Sequence, residues 1–235
     1  MKSNSLVFYR GPSTLDGQTI MGVVTGFLKP SANSKTGPML QSWIMPQNVP
    51  PQEAVKTGMD ASVCGNCRMR PMLHKGDAQP IANKPCYVGV GRAPRATWKA
   101  NKDRPVSPPE LVRALLADHV FRFGAWGDPS AIPKEAWRPF FGQKKTGYSH
   151  QWERYPEIAD HCMASVHGET ERQRAKGLGF RTFRVIDDVS QLVKGEILCP
   201  ASKEAGERVQ CIRCLLCDGS KGARDKRRDI AIVAH

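Results

Sequence analysis

Between Val63 and Val88 the chain reads VCGNCRMRPMLHKGDAQPIANKPCYV: two cysteines separated by two residues and, after a longer loop, a third followed by a tyrosine. No other stretch constrains the fold as strongly. A tight turn at Cys64-x2-Cys67 brings two sulfurs to one side of the backbone, where one metal ion or cluster can hold both. Cys86 can supply a third ligand. The fourth can be a cysteine from the C-terminal part, a histidine such as His74, or a small molecule at an open coordination position, and the spacing leaves these alternatives open. A second group follows in Cys199-Pro200 and Cys211-x2-Cys214-x2-Cys217. Four soft thiolates complete a tetrahedral zinc site or hold an iron–sulfur cluster, so metal is indicated while its identity is not. The surrounding loops are rich in glycine and charge, unlike the setting of inert core thiols. Cys162, alone in the apolar run CMASV, reads as a buried core residue.

A chain of 235 residues can bury a sizeable core in one principal domain, so the cysteines are not needed as external staples. Lys and Arg number 35 against 22 Asp and Glu, a net charge of +13 that suits a polyanionic partner such as DNA or RNA, or simply a basic, well-solvated surface. Met1 to Arg10 lacks the pattern of a secretory signal, and no window approaches the roughly 18 apolar residues of a membrane span. The expectation is a soluble cytoplasmic protein with no membrane partner, in which grouped cysteines bind metal before they form disulfides.

Taken in order, LVFY (6–9), TIMGVVTGF (19–27) and MLQSWIM (39–45) predict a β-rich segment over residues 1–60. The Ser31–Gly37 loop offers polar groups and free amides to a phosphate or serves as an ordinary hairpin connection. Gln47–Lys56 predicts a helical turn. In RAPRATWKANKDR, Trp98 among basic residues suits base stacking with phosphate pairing, and equally a helical connector packed on the core. Ser107-Pro108-Pro109-Glu110 has capping-box spacing and predicts a helix whose face pairs Leu111 with Leu115 and Val112 with Leu116. Strands are expected at 120–126, 146–152, 162–166, 182–186, 196–199 and 230–234, with helices at 133–141, 155–161 and 169–176. Strands alternating with helices predict an α/β fold over 61–235, a partial (incomplete) β/α barrel that carries the cysteine loop 199–217 and gathers functional groups at its C-terminal strand ends.

The CxxC…CY loop, the β/α succession and a strand ending Trp126-Gly127-Asp128-Pro129 together resemble the radical S-adenosylmethionine enzymes, in particular small phage-type proteins related to that superfamily. The resemblance spans roughly Ser62 to the C-terminus. It implies a 4Fe-4S cluster on Cys64, Cys67 and Cys86, with Tyr87 as the neighbouring aromatic and S-adenosyl-L-methionine on the open iron. Gly127, Asp128 and Pro129 would meet the methionyl amine. One departure is that Cys86 stands 19 positions beyond Cys67, whereas the family keeps its three cysteines in one short loop. Cys199, Cys211, Cys214 and Cys217 correspond to an auxiliary cluster with four protein ligands. Cofactor or substrate contacts are expected from the strand ends, at Ser149, His150, Ser165, His167 and Glu169, although each is also an ordinary strand-end or helix-cap residue. The implied activity is an iron–sulfur enzyme, an isomerase acting on a nucleic acid or nucleotide during thymidine hypermodification of bacteriophage DNA. An electron donor would be its partner and the host cytoplasm its location. The run Lys221, Arg224, Lys226, Arg227, Arg228 suits a DNA-borne substrate or a solvated face. The rival reading is a zinc-stabilised nucleic-acid-binding protein without catalysis.

Overall fold

The computed structural model describes residues 3–71, 86, 88–222 and 224–234. Three strands, β1 (Ser5–Pro12), β2 (Thr19–Thr25) and β3 (Leu40–Pro46), pair antiparallel in sequence order. Helices α1 (Pro51–Thr57), α2 (Ala61–Cys64), α3 (Ala93–Asn101) and α4 (Pro109–Leu116) then intervene before β4 (Phe121–Trp126) returns parallel to β3. β5 (Lys145–Thr146) pairs parallel to β4 and completes a sheet of order β1-β2-β3-β4-β5. The N-terminal strands are therefore the antiparallel end of a larger mixed sheet.

The second sheet is parallel throughout. Its strands β6 (Tyr148–Ser149), β7 (Met163–Val166), β8 (Thr182–Ile186), β9 (Glu196–Leu198) and β10 (Asp229–Val233) lie in the order β6-β7-β8-β10-β9. Helix α5 (Glu169–Gly177) forms the crossover from β7 to β8, and the short α6 (Cys211–Cys214) lies in the loop before β10. The architecture is mixed α/β. Among the described residues the pairings do not close into a barrel. No helix among them is long and apolar enough to cross a membrane.

The two sheets share one segment. Residues 146–152 were expected as a single strand; the structure divides the segment at Gly147, with β5 on one side and β6 on the other. The Gly147 N–H donates to the Cys217 carbonyl and its carbonyl accepts from Met163 N–H, both at 2.9 Å. A Cβ here would meet Cys162 Sγ at 2.8 Å and Phe123 Cβ at 2.9 Å, so only glycine lets the segment pass between them.

Under the first sheet Phe8, Phe121, Phe123, Trp137 and Phe140 form an aromatic core, with Phe8–Trp137 and Phe121–Phe140 centroids 4.7 Å apart. Cys162 is fully buried beside it, as its apolar run predicts. The second sheet has its own core of Met163, Phe183, Val185, Ile230 and Ile232 together with Cys199 and Cys217. Two buried ion pairs flank this core: Arg184 of β8 pairs with Glu196 of β9 at 2.6 Å, and Arg172 of α5 with Asp229 of β10 at 2.8 Å, all four buried.

Local expectations differ at three places. Pro108 rather than Ser107 precedes α4 and no side chain caps it; Val112 and Leu116 face the core while Leu111 is exposed. Lys134–Phe140, which contains Pro139, and Pro156–Ile158 are 3-10 turns rather than α-helices.

Gly147→Ala should lower stability by about 1–3 kcal/mol, the usual cost of overpacking, read from the urea midpoint. Gly177→Ala, where a Cβ meets nothing, should not destabilise the protein.

Candidate metal centre

Cys64 ends α2, and Gly65 at φ +58 turns the chain out of the helix. A Cβ on Gly65 would lie 2.6 Å from the Gln151 side chain, whose Nε2 donates to the Cys64 carbonyl at 3.0 Å. The Cys67 N–H then donates to the Cys64 carbonyl and the Arg70 N–H to the Cys67 carbonyl, each at 3.1 Å. Arg70 closes this turn from inside. Its guanidinium pairs with both oxygens of buried Asp60 at 3.0 and 2.8 Å and donates to the Gly65 and Gly58 carbonyls at 2.8 Å.

Cys86 returns to the same turn despite its distance in sequence, its N–H donating to the Met69 carbonyl at 2.7 Å. Burial pushes all three thiols up, Cys67 to about 12, and Cys64 is raised further by Cys67, Asp60, Cys86 and Asp128. Thiols grouped in this way stay protonated by themselves; a bound cation deprotonates them. Among the described residues no three His, Cys, Asp or Glu side chains stand at ligand geometry for one metal ion. His74 and Tyr87 lie outside the described residues.

Asp128, at the end of β4, joins this turn to the second sheet. Its N–H donates to the Val63 carbonyl at 2.6 Å. Its Oδ1 accepts from Ser130 N–H (3.1 Å), Ser130 Oγ (2.7 Å) and Ser149 Oγ (2.8 Å), and its Oδ2 from His150 N–H (2.6 Å). A carboxylate has about four acceptor positions, so little capacity is left for a ligand's amine. Gly127 has φ +83 and lies against the Ile44 carbonyl, 2.5 Å from where a Cβ would stand, while Pro129 is buried at the start of a 3-10 turn. Gly127-Asp128-Pro129 thus positions the cysteine turn from below.

The remaining strand-end candidates divide. Ser149 is fully buried and occupied, donating to Asp128 and accepting from Gln151 N–H. Glu169 Oε1 accepts from Arg172 and Gln173 on its own helix, while its Oε2 is buried with no hydrogen-bond partner among the described residues. The Ser165 hydroxyl makes no hydrogen bond among the described residues, although its carbonyl accepts from Trp152 Nε1. The His150 and His167 rings stack at 5.9 Å. Both ring nitrogens of His167 are buried without a hydrogen-bond partner among the described residues. Desolvation first, then His150 and Arg68, lowers His167 to about 3, and desolvation also lowers His150.

Cys199, Cys211, Cys214 and Cys217 line one cavity of about 30 Å³ with Lys35, Tyr148, Phe183 and Ile230. Burial raises Cys199, Cys211 and Cys217, and the neighbouring thiols add to it, while Lys35 and Arg122 pull Cys211 down. The Ser31–Gly37 loop is docked here: Cys211 N–H donates to the Lys35 carbonyl at 3.0 Å, Ile212 N–H to Thr36 at 3.1 Å and Gln210 Nε2 to Ser34 at 2.9 Å. It is thus more than a hairpin connection. Trp98 is packed, its indole N–H donating to the Pro46 carbonyl at 3.0 Å and Lys102 Nζ lying 5.9 Å over its ring.

No family model, curated protein or solved structure matches this chain. Sequence reasoning missed Asp60, Arg70, Gln151 and Arg122, and read Lys35 only as part of a loop that could meet a phosphate. Only the ten-residue separation of Asp60 and Arg70 across the CxxC turn offers a weak local signal.

Arg70→Met should cost about 3–5 kcal/mol, because it strands the buried Asp60 carboxylate. Adding Asp60→Leu should recover much of that loss in urea unfolding. His167 carries a second expectation. The folded state keeps it neutral down to about 3 against an ordinary 6.5, so stability is full above about 6.5 and falls as pH drops toward 3. The slope is up to about 1.4 kcal/mol per pH unit. His150, Arg68 and Glu171 face the same pocket, and His150 acts with the same sign. His167→Gln should flatten this acid limb in unfolding free energies measured across the window.

Proposed function

We propose that this protein is an iron–sulfur enzyme of radical S-adenosylmethionine type acting on a nucleic-acid or nucleotide substrate in the cytoplasm, with isomerisation during thymidine hypermodification of phage DNA as the implied reaction. The observation that carries this reading is the return of Cys86 to the Cys64–Cys67 turn, beside the ends of β3 and β4. The run of parallel strands from β3 onward supports a partial β/α barrel. Three thiols from one turn suit a cluster that keeps one iron open, and the soft donor set suits iron as well as zinc. When bound, such a cluster supplies an electron from a donor protein to S-adenosylmethionine and so opens radical chemistry on an unactivated position.

The chain's own residues have separate tasks in this reading. Cys64, Cys67 and Cys86 hold the cluster, Arg70 and Gln151 fix their turn, and Asp128 sets its height above β4 and β6. The methionyl contact implied for Asp128 fits poorly, because the carboxylate is buried and already accepts four hydrogen bonds, three on Oδ1 and one on Oδ2. Ser165, His167 and the Oε2 of Glu169 are the groups left to face cofactor or substrate, His167 as a neutral donor and acceptor rather than a cation. Cys199, Cys211, Cys214 and Cys217 hold a second metal without an open position.

The cavity of about 30 Å³ among the four thiols favours one alternative, a zinc-stabilised nucleic-acid-binding protein, since so small a space suits a single closed ion. Anaerobic reconstitution with iron and sulfide separates the two. Brown protein that cleaves S-adenosylmethionine to 5′-deoxyadenosine after reduction is expected, and Cys86→Ala should lose one cluster while keeping the other. Colourless protein holding only stoichiometric zinc would overturn the proposal.

A further inference from the structure

The sequence offers two basic runs, and the structure treats them differently. In Lys221–Arg228, Arg227 is bound by Asp218 and Asp225, so its charge is already matched. From Cys86 to Lys102 the chain has no acidic residue and carries Arg92, Arg95, Lys99 and Lys102. Of these only Lys102 has an acidic partner among the described residues, pairing with Asp103.

Arg92, Arg95 and Lys99 are exposed. Arg95 and Lys99 stand one turn apart on α3, about 40° from each other at 3.6 residues per turn, and Arg92 is the residue that precedes the helix. The opposite face buries Pro94 and Asn101. The helix is fixed in place by the Trp98 indole, bonded to the Pro46 and Gln47 carbonyls at the end of β3. That strand leads into the cysteine turn, and Arg92 follows Cys86 by six residues, a reach of at most roughly 20 Å.

We propose that the Arg92–Arg95–Lys99 face of α3 docks the phosphate backbone of duplex DNA beside the three-cysteine turn. The choice of duplex rests on Trp98. Single-strand surfaces pair cations with an open aromatic platform for bases, whereas the only aromatic described on this segment is packed and covered by Lys102. What remains is a row of cations, which suits a partner whose bases are stacked inside and whose charges lie outside. The inference takes from the proposed function only the nature of the substrate, and binding itself needs no metal chemistry.

The test is fluorescence anisotropy with a labelled mixed-sequence duplex over a range of salt. Each phosphate neutralised contributes about −0.9 to the slope of log K against log salt, so Arg92→Ala/Arg95→Ala/Lys99→Ala should reduce its magnitude by about 2.7. Lys221→Ala/Arg224→Ala/Lys226→Ala should leave the slope near that of the unaltered protein. Equal slopes for the unaltered protein and the α3 variant would overturn the inference. So would tighter binding of single strands than of duplex, or equal displacement of the DNA by polyglutamate. Iron content and S-adenosylmethionine cleavage are measured on the same preparations. Protein that binds duplex through α3 but takes up no iron removes the proposed chemistry and leaves this surface standing.

Discussion

The Asp128 carboxylate is the contact through which the cysteine turn, β4 and β6 are held in register. A buried carboxylate is costly unless its lone pairs are filled, and here donors come from the 3-10 turn that follows it and from the β6 end. Its own N–H bonds Val63, one residue before Cys64. The height of the first thiol over the sheets is therefore set by the same residue that ties the end of β4 to the end of β6. Gly127 makes this geometry available by lying against Ile44, where a side chain would not fit.

The two thiol groups sit in different electrostatic surroundings. Around Cys64 and Cys67 the neighbours are Asp60 and Asp128, which raise the thiols further, relieved in part by Arg70. Around Cys199 and Cys211 stands Lys35, joined by Arg122 at Cys211. Neither setting is of one sign, since Glu204 raises Cys199 as Arg70 lowers Cys67.

Much of the strand plan was legible because short runs of apolar and β-branched residues are bounded by turn residues: TFRVI forms β8 over the residues expected, CMASV forms β7 save its first residue, and both strands are buried along their whole length. The hidden features depend on contacts between distant segments. Gly147 divides a run that reads as one strand, because Cys162 and Phe123 crowd it from other elements. Arg184 and Arg172 read as surface charge in sequence yet are buried against Glu196 and Asp229, partners that no local pattern announces. The Gly127-Asp128-Pro129 motif was visible, but its inward orientation follows from Ser149 and His150, some twenty residues later.

The long excursion between Cys67 and Cys86 is the main departure from a compact three-cysteine loop, and its cost can be bounded. Loop closure grows as about (3/2)RT ln n, so stretching a spacing of a few residues to this length adds on the order of 1.5 kcal/mol. One backbone hydrogen bond, such as that from Cys86 N–H to the Met69 carbonyl, contributes about 1 kcal/mol net. A metal–thiolate bond is far stronger than either. Cys64 and Cys67 lie in a turn fixed by Gln151, Arg70 and Asp128, and Cys86 is tied to the same turn through its backbone N–H.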